Sequence, residues 1–164
     1  MSGHMLEWVS ICRHLGLLFV SAHTCKFSWD NYKPKCYGSF NAVFGRLGRN
    51  ASCELIVHLL LLICLPILLY GLETCTINHS DIRNLQHLVN NAFMKIFSIK
   101  SNDVLDECQI AFGFHTVREQ VYMYKIRFLT KYIHNVNLIC SFLEHQTISE
   151  IRALRVGFAD TQRI

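Results

Sequence analysis

Apolar and polar positions follow two rhythms along this chain, one near its start and another through the rest. Ile11 to Val20 reads Ile-Cys-Arg-His-Leu-Gly-Leu-Leu-Phe-Val, an apolar run with a glycine near its centre, and Cys25-Lys26-Phe27-Ser28-Trp29 then alternates. This predicts two short strands joined near residues 21–24. Beyond Asp30, a residue suited to an N-cap, Tyr32, Tyr37, Phe40, Val43, Phe44 and Leu47 fall at helical spacing. Lys33, Lys35 and Arg46 are among the outward positions, Pro34 lies in the first turn, and Gly48 is placed as a C-cap. Ser52 caps the next segment, whose apolar stretch from Leu55 to Leu72 is the hydrophobic peak of the chain. Pro66 within it predicts a kink, because the ring removes a backbone donor and clashes with the carbonyl four residues earlier.

Helical spacing continues to the end of the chain. Ser80-Asp81 opens a helix through Ile82, Leu85, Leu88, Val89, Ala92, Phe93, Ile96 and Phe97. Asn102 or Asp103 caps a shorter one with Val104, Leu105, Cys108 and Phe112 facing inward, stopped by Gly113. Thr116 with Glu119 three residues on reads as a capping box for a further helix, whose apolar face is Val121, Tyr122, Phe128, Leu129 and Tyr132. A last, weaker helix runs from Leu138 to about Arg155. The expected fold is mainly α: a short N-terminal β-hairpin followed by a bundle of five or six helices. Residues 1–30 form the β element, 31–143 the helical region, and 144–164 a C-terminal tail or short helix.

Composition sharpens this picture. Hydrophobic residues make up 51% of the 164 positions and charged residues 17%, against about 25% charged in ordinary soluble domains. A disordered chain is excluded. What remains is a piece of a larger core or a membrane segment. The stretch from Leu55 to Leu72 would span about 27 Å as a straight helix, slightly short of a hydrocarbon core of roughly 30 Å. The net charge of +4 is placed entirely in residues 1–50, where Arg13, Lys26, Lys33, Lys35, Arg46 and Arg49 face Glu7 and Asp30 alone. Such a basic region suits phosphate contacts, and an ordinary solvated surface has the same counts.

The chemistry-bearing residues form no complete catalytic or metal pattern. Eight cysteines include no Cys-x-x-Cys pair, so a disulfide framework is not expected. Cys53, Cys64 and Cys75 recur at 11-residue steps, which would point them the same way on one helix. Cys75-x3-His79 with His87 is an incomplete zinc set. Without a basic leader segment or cleavage site, an intracellular setting (cytoplasm or nucleus) is expected and secretion is not.

Several phrases together resemble one family. His14-Leu15-Gly16 before an apolar strand is similar to a Tyr-Leu-Gly segment beside the primer grip of non-LTR (LINE-type) retrotransposon reverse transcriptases. Tyr37-x-x-Phe40-Asn41-Ala42-Val43-Phe44-Gly45-Arg46-Leu47-Gly48 resembles a helix of that family. The most specific phrase is Cys64-Leu-Pro-Ile-Leu-Leu-Tyr-Gly-Leu-Glu73, similar to its Cys-x-Pro-x-Leu-x-Tyr-Gly-x-Glu. Ser80-Asp81, Phe93-Met-Lys-Ile-Phe97 and Cys108-Gln109-x-x-Phe112-Gly113-Phe114 continue in order, so the likeness covers roughly residues 10–143. His14, Pro34 and Gly38 depart from the family pattern.

The resemblance implies a thumb-side region behind the polymerase palm, which helps hold an RNA/DNA primer–template duplex. The catalytic Asp-Asp box is then expected upstream of Met1. Gly157-Phe158-Ala159-Asp160 matches half of such a box, but Thr161 stands where the second Asp belongs. Two-metal chemistry needs several converging carboxylates. No catalytic residue, metal site or cofactor is therefore assigned to this chain, although the parent family uses magnesium. The expectation is a fragment without polymerase activity by itself, with an intact polymerase as a further partner and no membrane favoured. Leu15 and Gly16 are candidates for backbone placement near the primer. Lys33, Lys35, Arg46 and Arg49 are candidate phosphate contacts on charge alone. A small membrane protein spanning at Leu55 to Leu72, or an incidental reading frame with no selected function, is the alternative. A core parted from its palm also predicts exposed apolar surface.

Overall fold

In the computed structural model, which describes residues 8–22, 26–28, 32–47, 51–75 and 77–161, a small sheet leads into stacked helices. The strands β1 (Ile11–His14), β2 (Leu17–Val20) and β3 (Lys26–Ser28) form one antiparallel sheet in the order β1-β2-β3. The run from Ile11 to Val20 is therefore a hairpin and not one strand. His14 pairs with Leu17, leaving Leu15 and Gly16 as a two-residue turn. Both have positive φ, 48° and 84°. A two-residue turn with positive φ at both positions matches the right-handed twist of its strands, and glycine makes the second position easy. Leu15 is held there at a cost of about 1–3 kcal/mol. The expected link near residues 21–24 connects β2 to β3 instead.

Helix α1 (Tyr32–Leu47) buries Tyr32, Cys36 and Phe40, a stripe at four-residue spacing that lays it against the chain's apolar peak. Tyr37, expected on that face, is exposed. Asp30 and Gly48, its expected caps, lie outside the described residues. The peak itself is α2 (Cys53–Leu59), a π-helical turn (Leu60–Cys64) and α3 (Leu65–Leu69). Ser52 caps α2, its hydroxyl accepting from the Leu55 N–H at 3.3 Å. Pro66 stands at the start of α3 directly after the widened turn. A π-turn re-routes the hydrogen-bond ladder where proline has no donor to supply, and the helical path runs on from α2 through Pro66 into α3.

The apolar peak is core. Val57, Leu60, Cys64, Leu68, Leu69 and Leu72 are buried within it. Among the described residues no helix is long and apolar enough to cross a membrane, and the stretch from Leu55 to Leu72, weighed as an alternative span, is divided among α2, the π-turn and α3. The 11-residue cysteine register is also broken. Cys64 and Cys75 are buried while Cys53 is exposed, because the π-turn and the turn after Leu69 rotate each successive piece.

Helix α4 (His79–Phe97) carries the longest inward stripe, from Ile82 to Ile96. Its cap is Asn78, slightly ahead of the expected Ser80-Asp81, with Asn78 Oδ1 accepting from the Asp81 N–H at 2.8 Å. Helix α5 (Asn102–Ala111) turns Leu105 and Gln109 inward; Val104 is exposed and Cys108 half-buried. Gln109 takes an inward place because Asn90 on α4 receives it: its amide donates to Asn90 Oδ1 at 3.0 Å, and Gln86 donates to the same oxygen at 2.8 Å. Gln86 Oε1 in turn accepts from the Val117 N–H at 2.8 Å, tying in the start of α6 (Val117–Ile133). A satisfied buried network of this kind sets which faces meet.

The capping box of α6 forms as read, with Thr116 and Glu119 satisfying each other's backbone N–H groups. Thr116→Ala is expected to cost about 1 kcal/mol. A lower urea midpoint at unchanged slope checks it, and an unchanged midpoint would show that the cap is dispensable. The helix expected from Leu138 divides into α7 (Leu138–Phe142) and α8 (Glu144–Thr161), so residues 144–161 form one long helix where a tail or short helix was expected. Helix α8 lies along α6, with Lys125 paired to Glu150 at 2.6 Å and Gly157 close against the Tyr122 ring. Leu62, Leu138 and Phe142 leave large apolar surface exposed.

Candidate nucleic-acid interface

The hairpin turn is held to the helices by two tyrosines. Tyr32, at the first turn of α1, donates its hydroxyl to the Gly16 carbonyl at 2.9 Å. Tyr70, just beyond α3, donates to the Leu15 carbonyl at 3.1 Å. Gly71 follows with φ of 79°, where a side chain would meet Leu17 Cδ2 at 2.6 Å. Its missing Cβ is what lets β2 close onto the end of the apolar rod. Burial first, then Tyr70 and Cys75, raises the Tyr32 phenol above its usual value, with Arg13 offsetting part of the rise. It remains a hydroxyl donor at neutral pH.

Leu15 and Gly16 therefore occupy the tip of a fixed turn, with Leu15 74% exposed. Lys35 is on the same side, its ammonium 5.7 Å from the centre of the Tyr32 ring. Gly16, Tyr32, Lys35, Pro66, Ile67 and Tyr70 line a surface groove of about 280 Å³. Lys33 is half-buried on the neighbouring position of α1. Arg46 is exposed in the last turn of that helix, eleven residues beyond Lys35, or about 16 Å along the axis. Arg46 is thus separate from the turn, and Arg49 lies outside the described residues. The candidates among the described residues do not form one patch: Leu15, Gly16 and Lys35 come together, and Arg46 belongs to the opposite end of α1.

Reading along the chain missed Tyr32 and Tyr70 as anchors. The signal for Tyr70 was present in the Tyr70-Gly71 pair, but its partner is 55 residues away. Lys95 was likewise unmarked. It donates to Asn41 Oδ1 at 2.9 Å and lies 5.1 Å from the centre of the Phe44 ring, joining α4 to α1.

The buried thiols have a structural setting. Cys36 Sγ is directed at the Cys64 carbonyl at 3.8 Å, and burial beside Cys64 pushes the Cys36 thiol up to about 12. Burial raises Cys64 as well. Thiolate is the reactive form, so neither is a nucleophile near neutral pH. Among the described residues, no three His, Cys, Asp or Glu side chains gather to hold a metal ion. No family model, curated protein or solved structure matches the chain.

Proposed function

We infer that the chain is a thumb-side segment of a non-LTR retrotransposon reverse transcriptase that helps hold an RNA/DNA primer–template duplex without polymerising by itself. The observation that carries this reading is the meeting of two phrases. His14-Leu15-Gly16 and Cys64 to Glu73 resemble the family independently, and Tyr70 of the second holds Leu15 of the first at 3.1 Å. A rigid exposed turn beside Lys35 suits placement of a strand end, and positioning is a large part of phosphoryl-transfer catalysis. The chain contains no Asp-Asp box, so an intact polymerase partner would supply the chemistry.

Binding of an RNA–DNA hybrid at two salt concentrations tests the reading. Affinity should fall with salt, each phosphate contact contributing about 0.7–0.9 to the log–log slope. Lys35→Ala should reduce that slope by about 1. Absence of binding at low salt would overturn the reading.

A further inference from the structure

Beside the Leu15–Gly16 turn, the groove between α1 and α3 has a composition that phosphate contacts do not require. Phosphates are held by cations and N–H donors. Here the walls are the 52% exposed ring of Tyr70, the exposed Pro66 and the half-buried Ile67, with Lys35 at the rim. Among the described residues no carboxylate lines it. The Tyr70 ring is fixed at its far end, because its hydroxyl is committed to the Leu15 carbonyl. The neighbouring Gly16 carbonyl is likewise engaged by Tyr32, so both turn carbonyls already have donors. A fixed aromatic face beside an apolar wall, with one ammonium group at the edge, complements a flat π-rich body that carries an anion. The volume of about 280 Å³ accommodates one nucleoside.

Building on the duplex-holding reading above, we propose that this groove holds one unpaired nucleoside at the end of a bound RNA/DNA duplex. The base stacks on Tyr70 and Pro66, and its phosphate lies against Lys35. Tyr70 then has two roles, anchoring the hairpin through its hydroxyl and supporting a base with its ring. The duplex end is registered against the turn by a base, in addition to the sequence-independent attraction of the lysines.

The test compares two RNA–DNA hybrids that differ at one position. One carries a single unpaired deoxyadenosine at the 3′ end of its DNA strand; the other carries an abasic residue there. Base–aromatic stacking predicts that the first binds the unmodified chain about tenfold more tightly. Tyr70→Phe keeps the ring and should keep most of that preference, while Tyr70→Ala should abolish it. Far-UV circular dichroism establishes whether the alanine variant folds. The comparison on the unmodified chain decides the matter if it does not. Equal affinity for the two hybrids would overturn the nucleoside groove and leave the duplex reading standing. No binding of either hybrid would overturn both.

Discussion

Phe93→Ala is expected to lower the unfolding free energy by about 3–5 kcal/mol, the largest effect of any single substitution considered for this chain. Phe93 is fully buried in the middle of α4. Its ring packs 5.3 Å from Phe114, which the turn at Gly113 folds back into the core, and 6.2 Å from Phe97. Phe97 in turn meets Phe112 at 5.3 Å, so two stacked rings of α4 meet both sides of the turn after α5. Removing it leaves a cavity among rigid neighbours as well as losing apolar transfer energy. Against a total of about 5–15 kcal/mol for an ordinary domain, the loss is a large fraction of the stability. Urea unfolding followed by far-UV circular dichroism measures it. A loss under 1 kcal/mol would show that the ring cluster does not organise the core.

Gly71→Ala is expected to be the next largest effect, about 2–3 kcal/mol, through two physical causes. A φ of 79° is unfavourable for any residue with a Cβ, and that Cβ would meet Leu17 at 2.6 Å. A double-mutant cycle with Leu17→Ala separates the causes. Trimming Leu17 removes the collision and leaves the backbone strain, so the double variant should be more stable than additivity predicts, by about 1 kcal/mol. Strict additivity would mean that β2 does not rest on Gly71. Hybrid binding by the same variants reports on the turn: Gly71→Ala disturbs Leu15 and Gly16 through β2, although it touches neither directly.

Helix ends were the most legible features because each is written in a few adjacent residues. Ser52 and the Thr116–Glu119 pair act within three residues of their own positions, and both form as read. The long stripe of α4 was equally clear, since Ile82, Leu85, Leu88, Val89, Ala92, Phe93 and Ile96 repeat the helical period and are all buried. On α5 the same reasoning went wrong by one position. The period was sound, but hydrophobicity chose Cys108 where the fold chose Gln109, whose amide has a specific acceptor on Asn90. A buried glutamine is costly without such a partner, and nothing in the local sequence announces that the partner exists.

The candidate interface was legible as residues and not as a place. Lys35 and Arg46 both belonged to one basic helix in the sequence, yet the length of α1 separates them while the turn draws Lys35 to Gly16. The tyrosine anchors explain why. Tyr32 reaches back 16 residues and Tyr70 reaches back 55, so the position of the turn depends on contacts absent from any short window.

The sequence by itself determined that an apolar, mostly helical chain would follow a small β element, where α2 and α6 begin, and that the surplus positive charge would lie in the first third. These depend on periodicity, caps and composition, which act locally. Only the tertiary structure decided that Leu15–Gly16 would be the hairpin turn, that Pro66 would follow a π-turn, that α8 would run along α6, and that Gly16, Lys35 and Tyr70 would border one groove. Each requires a partner distant in the chain: a tyrosine hydroxyl for a carbonyl, a missing Cβ for a leucine, one helix face for another. Local patterns restrict what each segment can become, and the packing free energy between segments selects among the forms that remain.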